Sequence, residues 1–231
     1  APGPLNFFSV EGPEVGPDMT PSVSALFYYQ HRPFVILNCD ASDNCGDDVG
    51  SGGDVRTIDL VENMMVGELM GSFTFLERFQ AGLAIPVTLW QRGETYDLVT
   101  EQVGGGEVSQ WLVPDSGYST AGVLGDLRIH LKARILGKEQ ADGPVLSAAV
   151  IPALPLSHWI GYGEGYSGDG FLSVTAPKVL FGYRFGSLRT AANLGVTWRE
   201  SSEMFSAQVG HTLNYGAAVG YQVIPEVELL D

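Results

Sequence analysis

Four histidines, His31, His130, His158 and His211, are the side chains best able to move protons near neutral pH. A lipid hydrolase or protease built on one of them needs a serine nucleophile and an orienting acid or amide beside it. The four lie in different segments, and none has such partners at a recognisable spacing. His130 stands between Arg128 and Lys132 at alternate positions, which suits a hydrogen-bonding side chain in a polar interior better than a catalytic one. Glu62, Glu68 and Asp126 fit ion pairing with such cations better than an acid/base couple, since an unpaired charge in a narrow interior is costly. No catalytic residue is assigned, and an enzyme is the weakest of the functional readings.

Asn38 to Asp54 carries five aspartates and no base, but lacks the calcium-loop spacing with its late bidentate glutamate. It reads as a solvated acidic loop. Cys39 and Cys45 are the only two cysteines, and their closeness suits a local disulfide in an oxidising compartment. With no histidine nearby, a metal site from them is not expected. Gly104-Gly105-Gly106 is followed by no lysine and opens no helix, so it reads as a flexible turn and not as a phosphate cradle. No cofactor is implied.

The elements that must carry these residues are strands. In Val123 to Leu136, alternate residues separate into Leu127, Ile129, Leu131, Ala133 and Ile135 on one face and Asp126, Arg128, His130, Lys132 and Arg134 on the other. A helix would scatter the charges around its circumference. The same alternation predicts strands at 22 to 37, 55 to 75, 80 to 91, 123 to 136, 145 to 155, 171 to 185, 188 to 199 and 207 to 223. Residues 1 to 21 read as a linker or a segment tucked against a barrel mouth, without chemistry of their own, and 91 to 122 as a long acidic loop.

At 231 residues and 45% hydrophobic content the chain can build one sizeable domain. No apolar run approaches the roughly 20 residues of a spanning helix, so a membrane location requires strands. The net charge of -15 argues against a nucleic-acid partner. Ala1-Pro2-Gly3-Pro4 reads as an end left by signal-peptide removal or by the choice of the expressed piece.

An alternating strand fits a soluble sheet or a membrane barrel with lipid outside and a polar lumen. Three features favour the barrel. Short connections at 76 to 78, 137 to 144 and 186 to 187 alternate with long ones at 38 to 54, 91 to 122 and 157 to 170, as periplasmic turns alternate with extracellular loops. Aromatic residues gather near strand ends at Phe75, Trp90, Tyr183, Phe185, Trp198 and Tyr221, as interfacial girdles do. The polar face mixes large charged residues with glycine, which fits a filled lumen. The expected fold is all-β, a transmembrane antiparallel up-and-down barrel over 22 to 231. Its expected lumen lining is Glu62, Glu68, Asp126, Arg128, His130, Lys132, Arg134, Lys178, Arg184, Arg189, Asn193 and Arg199. Eight strands would close with the first against the last, although Val227-Glu228-Leu229-Leu230 begins a fresh alternation and leaves a larger barrel open.

Gly82-Leu83-Ala84-Ile85-Pro86-Val87, the stretch Gly125 to Lys132 (GDLRIHLK) and Asn193-Leu194-Gly195 resemble segments in the N-terminal barrels of OmpA-family outer-membrane proteins of the myxobacterial and deltaproteobacterial kind. The similarity runs from about Ser22 to the end, as pattern plus short motifs. It implies an outer-membrane barrel, a periplasmic peptidoglycan-binding domain after it, and no catalytic residues. The expected function is a structural or surface-interaction protein of the outer membrane, touching lipid and an envelope or surface protein. The alternatives are a passive pore for small solutes and, last, a lipid hydrolase.

Overall fold

Where side chains alternate between apolar and polar, an extended backbone sorts them onto two faces and a neighbouring strand satisfies the amides. The computed structural model describes residues 2, 6, 10–38, 56–103, 107–138, 141–160, 171–204, 207–224 and 227–230. The elements among them are β1 Pro21–Asn38, β2 Arg56–Phe75, β3 Phe79–Val103, β4 Glu107–Thr120, β5 Val123–Leu124, β6 Leu127–Leu136, β7 Gly143–Leu154, α1 Leu156–Trp159, β8 Ser173–Phe185, β9 Leu188–Trp198, β10 Ser202–Met204, β11 Ala207–Val209, β12 Thr212–Ile224 and β13 Val227–Leu230. Among the described residues the protein is all-β apart from the single helical turn α1.

The main sheet has the order β1-β2-β3-β6-β7-β8-β9-β12-β13, with β4 and β5 paired to β3. Pairing is antiparallel from β3 through β13. The strand expected to begin at Val227 is formed, with Tyr221 opposite Leu229. It changes the closure: among the described residues β12 pairs with β9 and β13, while β1 is an edge of the path beside β2. Among the described residues the direct pairing of 22–37 with 207–223 expected of a closed eight-stranded barrel is not formed; β13 lies beside the Gly220–Ile224 end of β12.

Residues 91 to 122 are a hairpin and not a loop. β3 continues to Val103 and β4 returns along it, with rungs such as Leu98 opposite Leu112 and Val99 opposite Trp111. Tyr96, Val99, Thr100, Val108, Trp111 and Val113 are strand-favouring types, and they outweigh the acids and glycines on which the loop reading rested. In the same way 200 to 206, which lies between two of the predicted strands, contains β10, which pairs with β11. Leu76 and Glu77 turn the chain at positive φ, and Gly186 at φ 56° makes the short link between β8 and β9.

The chain divides into two compact units. Unit 1 comprises 1–26, 68–87 and 124–231, and unit 2 comprises 27–67 and 88–123. In unit 1 the strand faces sort in the reverse of a water-soluble domain. Leu131, Ile135, Val179, Phe181, Leu194 and Tyr215 are exposed, while His130, Lys132, Arg134, Ser147 and Arg189 are buried. Residues 10–16 lie over that polar face, with Val15 fully buried. In unit 2, Val61, Met64 and Val66 pack together with Tyr28 against them.

Candidate functional site

The polar face of unit 1 is assembled by register. Lys132 is opposite Ala149, and Ala149 is opposite Lys178, so two lysines flank an alanine on one rung. Ser147, Leu180 and Asn193 share the next rung. Gly182 stands opposite Val145 and Ala191, and Arg184 opposite Arg189. Strands spaced about 4.8 Å apart hold the two lysines roughly 10 Å apart at their backbones, near enough for both side chains to reach one carboxylate between them.

That carboxylate is Glu11. Its Oε2 lies 2.6 Å from Lys178 Nζ and its Oε1 4.0 Å from Lys132 Nζ. Burial alone would raise the Glu11 carboxyl, but the ammonium groups of Lys132 and Lys178 outweigh burial and hold it below its ordinary 4.5. Lys132 also donates to the Gly12 carbonyl at 3.2 Å, Ser147 donates to the Pro13 carbonyl, and Asn193 donates to the Glu11 carbonyl at 3.2 Å. Arg189 closes the series with a 2.7 Å bond to Glu14. Glu11, Gly12, Pro13 and Glu14 thus follow the direction of β8 from the level of Lys178 to that of Arg189.

Glycines shape the seat beneath. A Cβ on Gly182 would stand 2.7 Å from Pro13, one on Gly82 2.7 Å from Pro2, and one on Gly216 3.2 Å from Val10. Val10 packs with Ala191 and Ala218 on the same face.

The expected lining residues fall into several settings. Lys132, Lys178, Arg189 and Asn193 meet around residues 10–16, as above. Arg128 pairs with Glu68 at 2.9 Å. Arg134 is buried and donates to the Glu77 carbonyl at 2.6 Å. His130 is buried with neither ring nitrogen hydrogen-bonded. Arg184 is half-buried at the rung of Arg189, Asp126 is half-buried between β5 and β6, and Arg199, just past β9, donates to Thr212 at 3.4 Å. Glu62 belongs to unit 2, where Arg92 grips it through two bonds of 2.8 and 2.7 Å. Cys39, Cys45 and the aspartates of 40–54 lie outside the described residues.

Glu11 and Glu14 are the residues that sequence reasoning missed. A signal was present: two acids in Val10-Glu-Gly-Pro-Glu-Val15 are enclosed by valines, an odd setting for a solvated linker.

Unit 2 has its own polar network. Gln91 donates to the Tyr118 hydroxyl at 2.7 Å, which donates to the Leu60 carbonyl at 2.7 Å. Beside it opens a cavity of about 440 Å³ lined by Glu62, Arg92, Glu94, Ser116 and Tyr118 among others. Of the other histidines, His31 Nδ1 lies 3.1 Å from Asn63 Oδ1, His211 accepts from the Arg199 amide at 3.4 Å, and His158 sits in α1. What unit 1 can do is recognise anions: it offers ammonium, guanidinium, hydroxyl and amide donors along one lane.

No family model matches this chain, and no curated protein compared with it matches either.

Proposed function

We propose that the chain is a transmembrane β-barrel of the bacterial outer membrane, acting as a scaffold or surface-interaction protein, with residues 10–16 filling its interior. The observation that carries this reading is the inverted sorting of unit 1: Leu131 is 50% exposed while its neighbour Lys132 is 4% exposed. Water-soluble domains almost never bury Lys and Arg in numbers while exposing broad aliphatic and aromatic stripes. A bilayer outside and a polar lumen inside make both choices favourable. The absence of a long apolar helix among the described residues leaves strands as the means of crossing.

Unpaired backbone groups in hydrocarbon cost several kcal/mol each, so the reading requires β1 and β13 to be paired in the membrane, by further strands or by a partner chain. A barrel larger than eight strands is then the form that fits. The resemblance to OmpA-family barrels points the same way, with membrane lipid and an envelope or surface protein as partners. The test is extraction and folding: the protein should need detergent, give a β-type circular dichroism spectrum, and change gel mobility on boiling. A monomer that stays soluble without detergent refutes the reading.

A further inference from the structure

Residues 10–16 are held to the sheet as a ligand is held. Among the described residues, no backbone-to-backbone hydrogen bond ties them to a strand. Their grip consists of side-chain donors from the sheet: Lys132, Ser147, Lys178, Arg189 and Asn193. Their shape is set within the amino-terminal segment itself, where Asn6 donates to the Pro2 carbonyl at 2.9 Å and accepts from the Gly12 amide at 3.1 Å. The glycines beneath Pro2, Val10 and Pro13 leave a groove into which this one occupant fits.

The charge inventory says what else would fit. The chain holds 12 Lys and Arg against 27 Asp and Glu, yet Arg128, Lys132, Arg134, Lys178, Arg184 and Arg189 all project from the polar face of β6, β8 and β9. Half of all cations thus collect on one face of an acidic chain, which chance does not favour. Glu11 and Glu14 neutralise the centre of that lane; if they left, the buried Lys132 and Arg189 and the half-buried Lys178 would lose their carboxylates. Uncompensated buried charge is costly, so the vacated lane would bind small anions from solution.

We propose that this lane is an anion-binding path and that residues 10–16 are its resident, displaceable plug. The chain's own acids occupy the site that small anions take when the plug withdraws. The proposal rests on the barrel reading and sharpens its pore alternative: a plugged barrel is closed, and an unplugged one passes chloride and small carboxylates in preference to cations.

Two measurements on the full chain test it. In the first, Val15→Cys reports withdrawal by maleimide alkylation, with the unsubstituted chain as blank for Cys39 and Cys45. Adding Glu11→Gln and Glu14→Gln should raise the alkylation rate on the order of tenfold, and raising KCl towards 1 M should raise it in the reporter chain with its acids intact, because chloride competes with Glu11 and Glu14 for the cations of the lane. A rate moved by neither overturns the plug. In the second, the chain without the reporter and its Glu11→Gln/Glu14→Gln variant are compared in planar bilayers under a KCl gradient. The variant should conduct more often, with a reversal potential on the chloride side. A potassium-side potential, or a variant no more conductive than its parent, overturns the anion path. A protein soluble without detergent refutes the barrel reading and the path with it, and alkylation in plain buffer then decides whether charge holds the segment.

Discussion

Arg189 and Glu14 form a pair in which each side chain is less than a tenth exposed. Truncating one member of such a pair leaves the other charged and buried, a loss of about 3 to 5 kcal/mol. Arg189→Met should therefore lower folding stability by about that amount, and Arg189→Met with Glu14→Met should recover most of it. Urea unfolding in detergent measures both, and equal losses in the single and double variants would refute the pairing as the source. Glu11 has the opposite kind of sensitivity. Its carboxyl is depressed in the folded protein, so its contribution is complete above the ordinary 4.5 and disappears as pH falls through the lower folded value. With intrinsic exchange divided out, the protection of the amides of residues 10–12 and 14–16 should fall below about pH 4.5 and hold between pH 6 and 7; a loss of protection confined to the neutral range would assign the hold to another group. At this scale the cations of Arg128 to Arg134 were legible in the sequence because a two-residue period displays them. Glu11 and Glu14 were not, since 167 residues separate Glu11 from Lys178 and 175 separate Glu14 from Arg189, and no period links them.

At the scale of elements, periodicity placed strands well wherever one face differs from the other, as in Leu127–Leu136 and Leu188–Trp198. It failed over β3 and β4, where glycine and acid content concealed a hairpin whose rungs become visible only when the two halves are aligned. Gly93 in that region is a packing requirement. A Cβ there would stand 2.1 Å from the Leu60 carbonyl oxygen, a contact that only backbone movement can relieve. Gly93→Ala should then part β2 from β3 within unit 2 at a cost of about 1 to 3 kcal/mol, the usual penalty of overpacking. Limited proteolysis should cut the variant faster within 107–120 than the parent. Gly210, with nothing within 4 Å of its Cβ position, is the control, and equal cleavage of Gly93→Ala and Gly210→Ala would contradict the steric account.

For the whole molecule, alternation along the chain predicts that one stripe faces oil and the other something polar, but not which stripe is inside. That is fixed by long-range pairing, and the arrangement of unit 1 puts the polar stripe inside, under residues 10–16. Closure was the least legible property. It depends on which strand lies beside β12, and alternation along one strand marks its faces but not its neighbours; the fresh alternation at Val227–Leu230 forms β13 beside only the Gly220–Ile224 end of β12. The inverted sorting leads to a prediction on which a soluble sheet and a membrane barrel disagree. Leu131 is half exposed and its backbone is paired on both sides, to Ala81 and to Val150. On a water-facing surface, Leu131→Arg would change stability by no more than about 0.5 kcal/mol, because the guanidinium stays hydrated. Facing the middle of a bilayer, the same substitution should cost about 2 to 4 kcal/mol, since the charge must be stripped of water or drag the headgroups inward. Val150→Arg should behave like Leu131→Arg, because the two side chains are partners on one exposed face. Val23→Arg, on an exposed apolar residue near the start of β1, should cost much less, as penalties decline towards the interface. Equilibrium unfolding from phospholipid vesicles compares the three. A steep loss at Leu131 and Val150 with a small one at Val23 fits lipid contact across the middle of the sheet, whereas three neutral substitutions would refute the membrane reading.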